Sequence, residues 1–284
     1  MASCPNKSEK VGYCAPAIIE IRNLHKSFIV GDQNVEVLKG ISFDICQEDF
    51  FIIFGPSGCG KSTLLYSILG LEEPTSGKVV FLGENIYRDD SEDRKTEFRR
   101  KHIGMVYQQS NWVRSLSVLE NVSLPLILLG NDELESTQYA LKMLKKVGME
   151  DWAQYNPAEL SSGQQQKVAV ARALVTNPEV IVADEPTGNL DYDSGRELLH
   201  LLGDLRFMGK TIVMVTHDLE YLEYAKNILR MRDGGIVAMY DETNKGEILE
   251  SISYKKDLKK FKKDDSLEEC DLSEGPTGKN KNKK

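Results

Sequence analysis

One stretch of eight residues constrains this chain more than any other: Gly55-Pro56-Ser57-Gly58-Cys59-Gly60-Lys61-Ser62. It has the form Gly-x-x-x-x-Gly-Lys-Ser. It follows an apolar run, Asp49–Phe54, that reads as a buried strand, and it opens Ser62–Leu71, whose apolar spacing is helical. Glycines let consecutive backbone N–H groups curl around phosphate oxygens without Cβ clashes. The helix start, with Thr63 in its first turn, adds partial positive charge. Lys61 supplies a point charge for the β and γ phosphates, and the Ser62 hydroxyl is small enough to sit on Mg2+. By itself the motif says only that a nucleoside triphosphate binds. A guanine reader would need Asn-Lys-x-Asp after a core strand. The nearest string, Asn244-Lys245-Gly246-Glu247, ends in Glu and reads as a surface loop.

Two further strands carry chemistry at their ends. Val180–Ala183 runs apolar into Asp184 and Glu185. In a parallel sheet, ligands bind at the carboxyl ends of the strands. Asp184 is therefore placed to hold Mg2+ and Glu185 to polarise a water in line with the γ phosphate. Thr211–Thr216 ends in His217, which is within reach of the same phosphate.

Around these strands lie the helical pattern Ser194–Phe207, β-type patterns at Ala17–Ile21 and Val35–Ile45, and Lys78–Leu82 followed by a turn. Asp233-Gly234-Gly235 marks a terminal hairpin. The expected fold class is α/β: a P-loop NTPase core of RecA-like type with a mostly parallel sheet, an antiparallel β subdomain and an inserted α-helical subdomain over about 91–172. Residues 1–16 and the Lys-rich 244–284 read as tails flanking one domain, 17–243.

Leu160-Ser161-Ser162-Gly163-Gln164, placed between the phosphate loop and the acidic strand, resembles the Leu-Ser-Gly-Gly-Gln signature of ABC-transporter ATPases. Other motifs fall in that family's order. Gln108 matches the Q-loop, Asn189-Leu190-Asp191 the D-loop, His217 the switch histidine, and Phe28 the aromatic that stacks on adenine. A core aromatic is the other reading of Phe28. Arg99–Gln108, Leu119–Val122 and Asp184–Asp191 look like the lipoprotein-releasing and macrolide-efflux group.

The resemblance implies ATP and Mg2+ as ligands. The metal would be held by Ser62, Gln108 and Asp184, and catalysis would rest on Glu185, His217 and Gln108. It implies that Ser161, Gly163, Gln164 and Asp191 meet nucleotide across a head-to-tail homodimer. It also implies an integral-membrane permease gripped by residues near 110–160, at the cytoplasmic face of the plasma membrane. A membrane-associated regulator of the cell-division type is the alternative. Ser162 departs from the family glycine, which only a positive φ would require.

Composition closes off other classes. Net charge is −8 and unevenly placed, acidic over the body of the chain and slightly basic in the Lys-rich C-terminal tail, which argues against coating nucleic acid. The longest apolar runs fall far short of the roughly 20 residues that cross a bilayer. Cys4, Cys14, Cys46, Cys59 and Cys270 are odd in number, fit no zinc spacing, and read as reduced thiols.

Overall fold

Parallel strands covered on both faces must be apolar along their whole length. In the computed structural model, which describes residues 16–88 and 91–250, three segments meet that demand. They are β3 (Phe50–Phe54), β7 (Val180–Asp184) and β8 (Thr211–Thr216), buried throughout except at Asp184. With β6 (Ile103–Tyr107), β9 (Asn227–Arg232) and β10 (Gly235–Tyr240) they make one sheet ordered β10-β9-β3-β8-β7-β6. Every pairing is parallel except β9 with β10, which a tight turn joins. Asp233 and Gly234 both take positive φ there, as a two-residue hairpin turn requires.

A second sheet, wholly antiparallel, is ordered β2-β1-β4-β5 from β1 (Ala17–Val30), β2 (Gln33–Cys46), β4 (Ser76–Phe81) and β5 (Glu84–Asn85). The β1–β2 ladder outruns the apolar patterns that announce it. Polar pairs such as His25 with Lys39 and Ser27 with Glu36 carry it to its tip.

Helix α1 (Lys61–Ile68) lies between the sheets. Its Leu64, Leu65 and Ile68 share one core with Ile19, Ile21 and Phe43 of the antiparallel sheet and with Phe51, Val182 and Val213 of the parallel core sheet. Phe43 stacks on Phe51 with ring centroids 5.4 Å apart, joining the layers directly. Burying each such side chain contributes about 1.5–3 kcal/mol, so the phosphate loop, which sits between β3 and α1, rests on a rigid base.

The stretch 91–172, expected as helical, holds one strand of the core sheet. It consists of α2 (Glu92–His102), edge strand β6, α3 (Val118–Leu128), α4 (Glu133–Lys146) and α5 (Ser162–Leu174). Four apolar residues with a glycine among them gave β6 no distinctive period. That glycine is structural: a Cβ on Gly104 would lie 2.2 Å from the Ala173 carbonyl oxygen, so only glycine lets α5 press onto β6. Helices α3, α4 and α5 pack on one another, whereas α2 sets Phe98 edge-on against Phe81 of the antiparallel sheet. Helix α6 (Tyr192–Phe207) packs on β8.

Residues 16–242 belong to one compact unit and 243–250 to a second, in which 245–250 are helical. The expected tails lie mostly outside the described residues. Cys59 is a free, buried thiol, but Cys46 is disulfide-bonded, which corrects the reading of uniformly reduced cysteines. Among the described residues no helix is long and apolar enough to cross a membrane.

Asp49, just before β3, is fully buried. Burial pushes its carboxyl above the ordinary range, opposed by a hydrogen bond from Asn227 at 2.6 Å. A buried acid with a raised pKa favours the fold most when protonated, and that contribution is lost as pH rises through the folded pKa. Asp49→Asn is therefore expected to raise the melting temperature at neutral pH. The gain should shrink as pH falls through the raised pKa, which thermal melts across pH will check.

Candidate active site

The strand register places three chemical groups at one edge. Phe54, the last residue before the phosphate loop, pairs with Thr216, and Asp184 pairs with Val215. The carboxyl ends of β3, β8 and β7 thus bring the loop, His217 and the Asp184-Glu185 pair side by side, at the end where parallel sheets bind ligands.

The loop is clamped from below. A Cβ on Gly55 would lie 2.4 Å from the Met231 carbonyl, and one on Gly60 would lie 3.0 Å from the Val37 carbonyl. Gly234 N–H donates to Cys59 O at 3.1 Å, and Lys39 N–H donates to Gly234 O at 2.9 Å. The β9–β10 turn and the β1–β2 hairpin therefore both brace it. Gly58 and Gly60 take positive φ (78° and 99°), and Pro56, Ser57 and Gly58 stand exposed at the crest. Gly60 precedes α1 as its N-cap and supplies no side-chain cap, so the first-turn N–H groups are left for an anion. The Lys61 ammonium donates to Gly55 O at 2.8 Å and Pro56 O at 3.1 Å, and the residue is only 5% exposed. This cradle fits a polyphosphate: backbone donors, one cation, positive φ at Gly58 and Gly60, and no room for a Cβ at Gly55.

Burial, reinforced by the Glu185 charge, raises the Asp184 pKa, while Lys61 and a hydrogen bond from Tyr66 pull it down. Glu185 sits in the left-handed region at φ 46°, a conformation that costs a non-glycine residue roughly 1–2 kcal/mol. Its backbone is held there by Glu185 N–H to Val215 O (3.0 Å) and Gly188 N–H to Glu185 O (3.1 Å). Strain of this kind gathers at functional sites. Here it accompanies Glu185 Oε2 lying 3.1 Å from His217 Nδ1. His217 is the more exposed partner, at 56% against 27%.

Phe28 lies on β1, paired with Val35 two residues from Val37, and is half-buried with the Lys26 ammonium 4.8 Å from its ring centroid. It is thus on the hairpin that braces the loop.

The signature residues have different neighbours. Ser161 caps α5 reciprocally with Gln164: Gln164 N–H donates to Ser161 Oγ at 3.3 Å, and Ser161 N–H donates to Gln164 Oε1 at 2.9 Å. Ser162 is the first helical residue and is not among the positive-φ positions, so serine is accommodated. Gly163 packs closely on α6, where an added Cβ would come within 3.0 Å of Ser194 Oγ. Asp191 caps α6 by accepting from Ser194 N–H (2.9 Å) and Ser194 Oγ–H (3.0 Å), which lowers its pKa. Gln108, exposed at the end of β6, meets Gly188, where a Cβ would lie 2.6 Å from Gln108 Nε2.

Several contributors went unread in the sequence. Tyr66 supports Asp184 from α1. The buried amide of Asn121 holds Val113, Leu116 and Ser117 by their carbonyls. Gln166 lies beneath Gln108. The run Gln164-Gln165-Gln166, unusual at the start of an apolar helix, was the available signal for the last.

A family model described as ABC transporter matches residues 38–188. An uncharacterized ABC transporter ATP-binding protein of Thermotoga maritima is 44% identical over 219 residues, 77% of this chain and 93% of its own length. The macrolide export ATP-binding/permease protein MacB of Escherichia coli K12 is 41% identical over 221 residues, which is 78% of this chain but 34% of that longer protein. Among solved structures, the dimeric ATP-binding cassette MJ0796 in a post-hydrolysis state with ADP and Pi superposes with a TM-score of 0.72 at 38% identity, covering 78% of this chain and 98% of that one. Matching family, fold and phosphate-binding geometry lead to one conclusion: the chain belongs to the ABC transporter family and is an ATP-hydrolysing cassette of it.

Proposed function

We propose that the chain is the ATPase subunit of an exporter, working as a head-to-tail homodimer on a separate integral-membrane permease at the cytoplasmic face of the plasma membrane. The observation that carries the reading is the pairing of Glu185 with His217 beside Lys61, together with a signature that has other neighbours in its own chain. Each chain then offers two unlike half-sites: the phosphate loop with Glu185 and His217, and the exposed start of α5 with Ser161, Gly163 and Gln164. Two copies joined head to tail complete two sites. The γ phosphate holds the copies together because both donate to it, and its hydrolysis releases them.

ATP supplies the phosphates, and Mg2+ would neutralise their charge. The hard oxygens of Ser62, Gln108 and Asp184 suit that ion. Mg2+ bound with a nucleotide keeps waters and phosphate ligands and needs only one or two protein oxygens. Glu185 takes the proton from the attacking water, and His217 holds Glu185 and the γ phosphate in line. Phe28 offers its face to adenine, and Asp191 faces the seam. MacB, which carries cassette and permease in one chain, favours export over the cell-division type of regulator. The groove between α3 and β6, about 350 Å3, is lined by Leu124, Pro125, Leu128 and Met105 and suits an amphipathic segment of the permease.

The composite site has a direct test. Lys61→Ala spoils one half-site and Ser161→Arg the other, so each variant alone has two damaged sites and is expected to be inactive. Mixed, the two chains make heterodimers with one intact site, and ATPase activity should return. Activity that stays absent on mixing counts against the head-to-tail reading.

A further inference from the structure

One buried side chain ties the signature helix to the Q-loop. Gln166, on α5 five residues after Ser161, is 3% exposed. Its Nε2 donates to Tyr107 O at 3.0 Å and to Gln108 O at 2.9 Å. The carbonyl of Gln108 also accepts from Asn189 Nδ2 at 3.4 Å, so the end of β6, the signature helix and the D-loop meet at one oxygen. The orientation of the Gln166 amide is fixed. Two carbonyls can only accept, so the NH2 end must face them. Its Oε1 is buried with no hydrogen-bond partner among the described residues. The adjacent Gln165 adds a second tie, accepting from the Trp112 indole N–H at 3.0 Å, and Arg172 of the same helix lies 4.4 Å over the Trp112 ring.

We propose that Gln166 is a positioning residue for ATP hydrolysis, holding Gln108 and Ser161 in fixed register. In the dimer each chain would give Gln108 to one nucleotide and Ser161 to the other, so Gln166 links the two sites within a single chain. This rests on the reading of Ser161 as the group that crosses to a partner's nucleotide. Ser161 caps the helix that carries Gln166 and lies about one and a half turns before it. A shift at the Gln108 carbonyl therefore displaces the start of α5. Catalysis is sensitive to such shifts, because misplacing a reacting group by about 1 Å can cost roughly a hundredfold in rate.

The test is Gln166→Met in the full chain, which keeps length and burial but removes both donors. The expected result is a kcat lowered about tenfold or more, with KM for ATP and ATP affinity of the isolated chain within about twofold of wild type. Amide hydrogen exchange at 107–112 should quicken. A folded Gln166→Met with kcat within about twofold of wild type overturns the inference, as does ATP affinity falling in step with kcat. If Gln166→Met does not fold, Asn189→Leu attacks the same carbonyl from the exposed side. It should lower kcat by a smaller factor at unchanged KM, and an unchanged kcat overturns the inference. Failure of the mixed-chain experiment removes the trans role of Ser161 instead, so the two failures are distinguishable.

Discussion

Replacing Glu185 by Gln is expected to cut steady-state ATP hydrolysis by about a hundredfold or more, the usual contribution of a positioned general base. ATP affinity should hold within about twofold, because the amide keeps the size and hydrogen-bonding reach of the carboxylate and lies outside the phosphate cradle. On the head-to-tail reading proposed above, ATP-bound dimers should accumulate, since the γ phosphate would no longer be removed. The structure makes this substitution clean. Glu185 is held at φ 46° by backbone hydrogen bonds to Val215 and Gly188, so changing its side chain leaves its placement intact. Only the 3.1 Å contact with His217 changes character, from a charged acceptor to a neutral one. Phosphate release under steady-state conditions measures the first effect, nucleotide titration the second, and size-exclusion chromatography with and without ATP the third. Turnover close to wild type would remove Glu185 as the base.

What could be read from the sequence follows the range of the interactions involved. The phosphate loop was legible because its requirements are local: glycine at the turns, lysine and serine at the helix start, an apolar strand before them. Strands β7 and β8 were legible because burial on both faces leaves an unbroken apolar run. Strand β6 was not, since an edge strand of four apolar residues with a glycine resembles a helix terminus, and only the Ala173 carbonyl of α5 explains Gly104. The bracing of Gly60 by Val37 and the joining of Gln166 to Gln108 link residues 23 and 58 positions apart, and no local pattern announces either. The Asp184–Tyr66 contact is hidden for the same reason. Ser162 looked like a departure in the sequence. Its backbone is helical, outside the positive-φ region that would call for glycine.

Lys61→Ala is expected to act at the opposite end of the reaction, on binding. The ammonium is the cation within the cradle and is already desolvated at 5% exposure. A charge-assisted hydrogen bond to phosphate is worth about 1.5–3 kcal/mol, so ATP affinity should fall roughly 10–100-fold. The loss should be specific to the phosphates. Adenosine, which offers no charge, should bind the variant and the wild type alike. Lys61 also donates to Gly55 O and Pro56 O, so its removal frees the crest of the loop as well. That loosening stays local, because Gly55 and Gly60 remain pinned by Met231 and Val37 and the fold below depends on Leu64, Leu65 and Ile68. Lys61→Arg should not rescue, since a planar guanidinium is broader than the point charge this closed turn admits. Paired titrations with ATP and adenosine separate the outcomes. Equal losses for both ligands would mean that the substitution deforms the site as a whole, whereas a loss confined to ATP identifies Lys61 as the charge that reads the triphosphate.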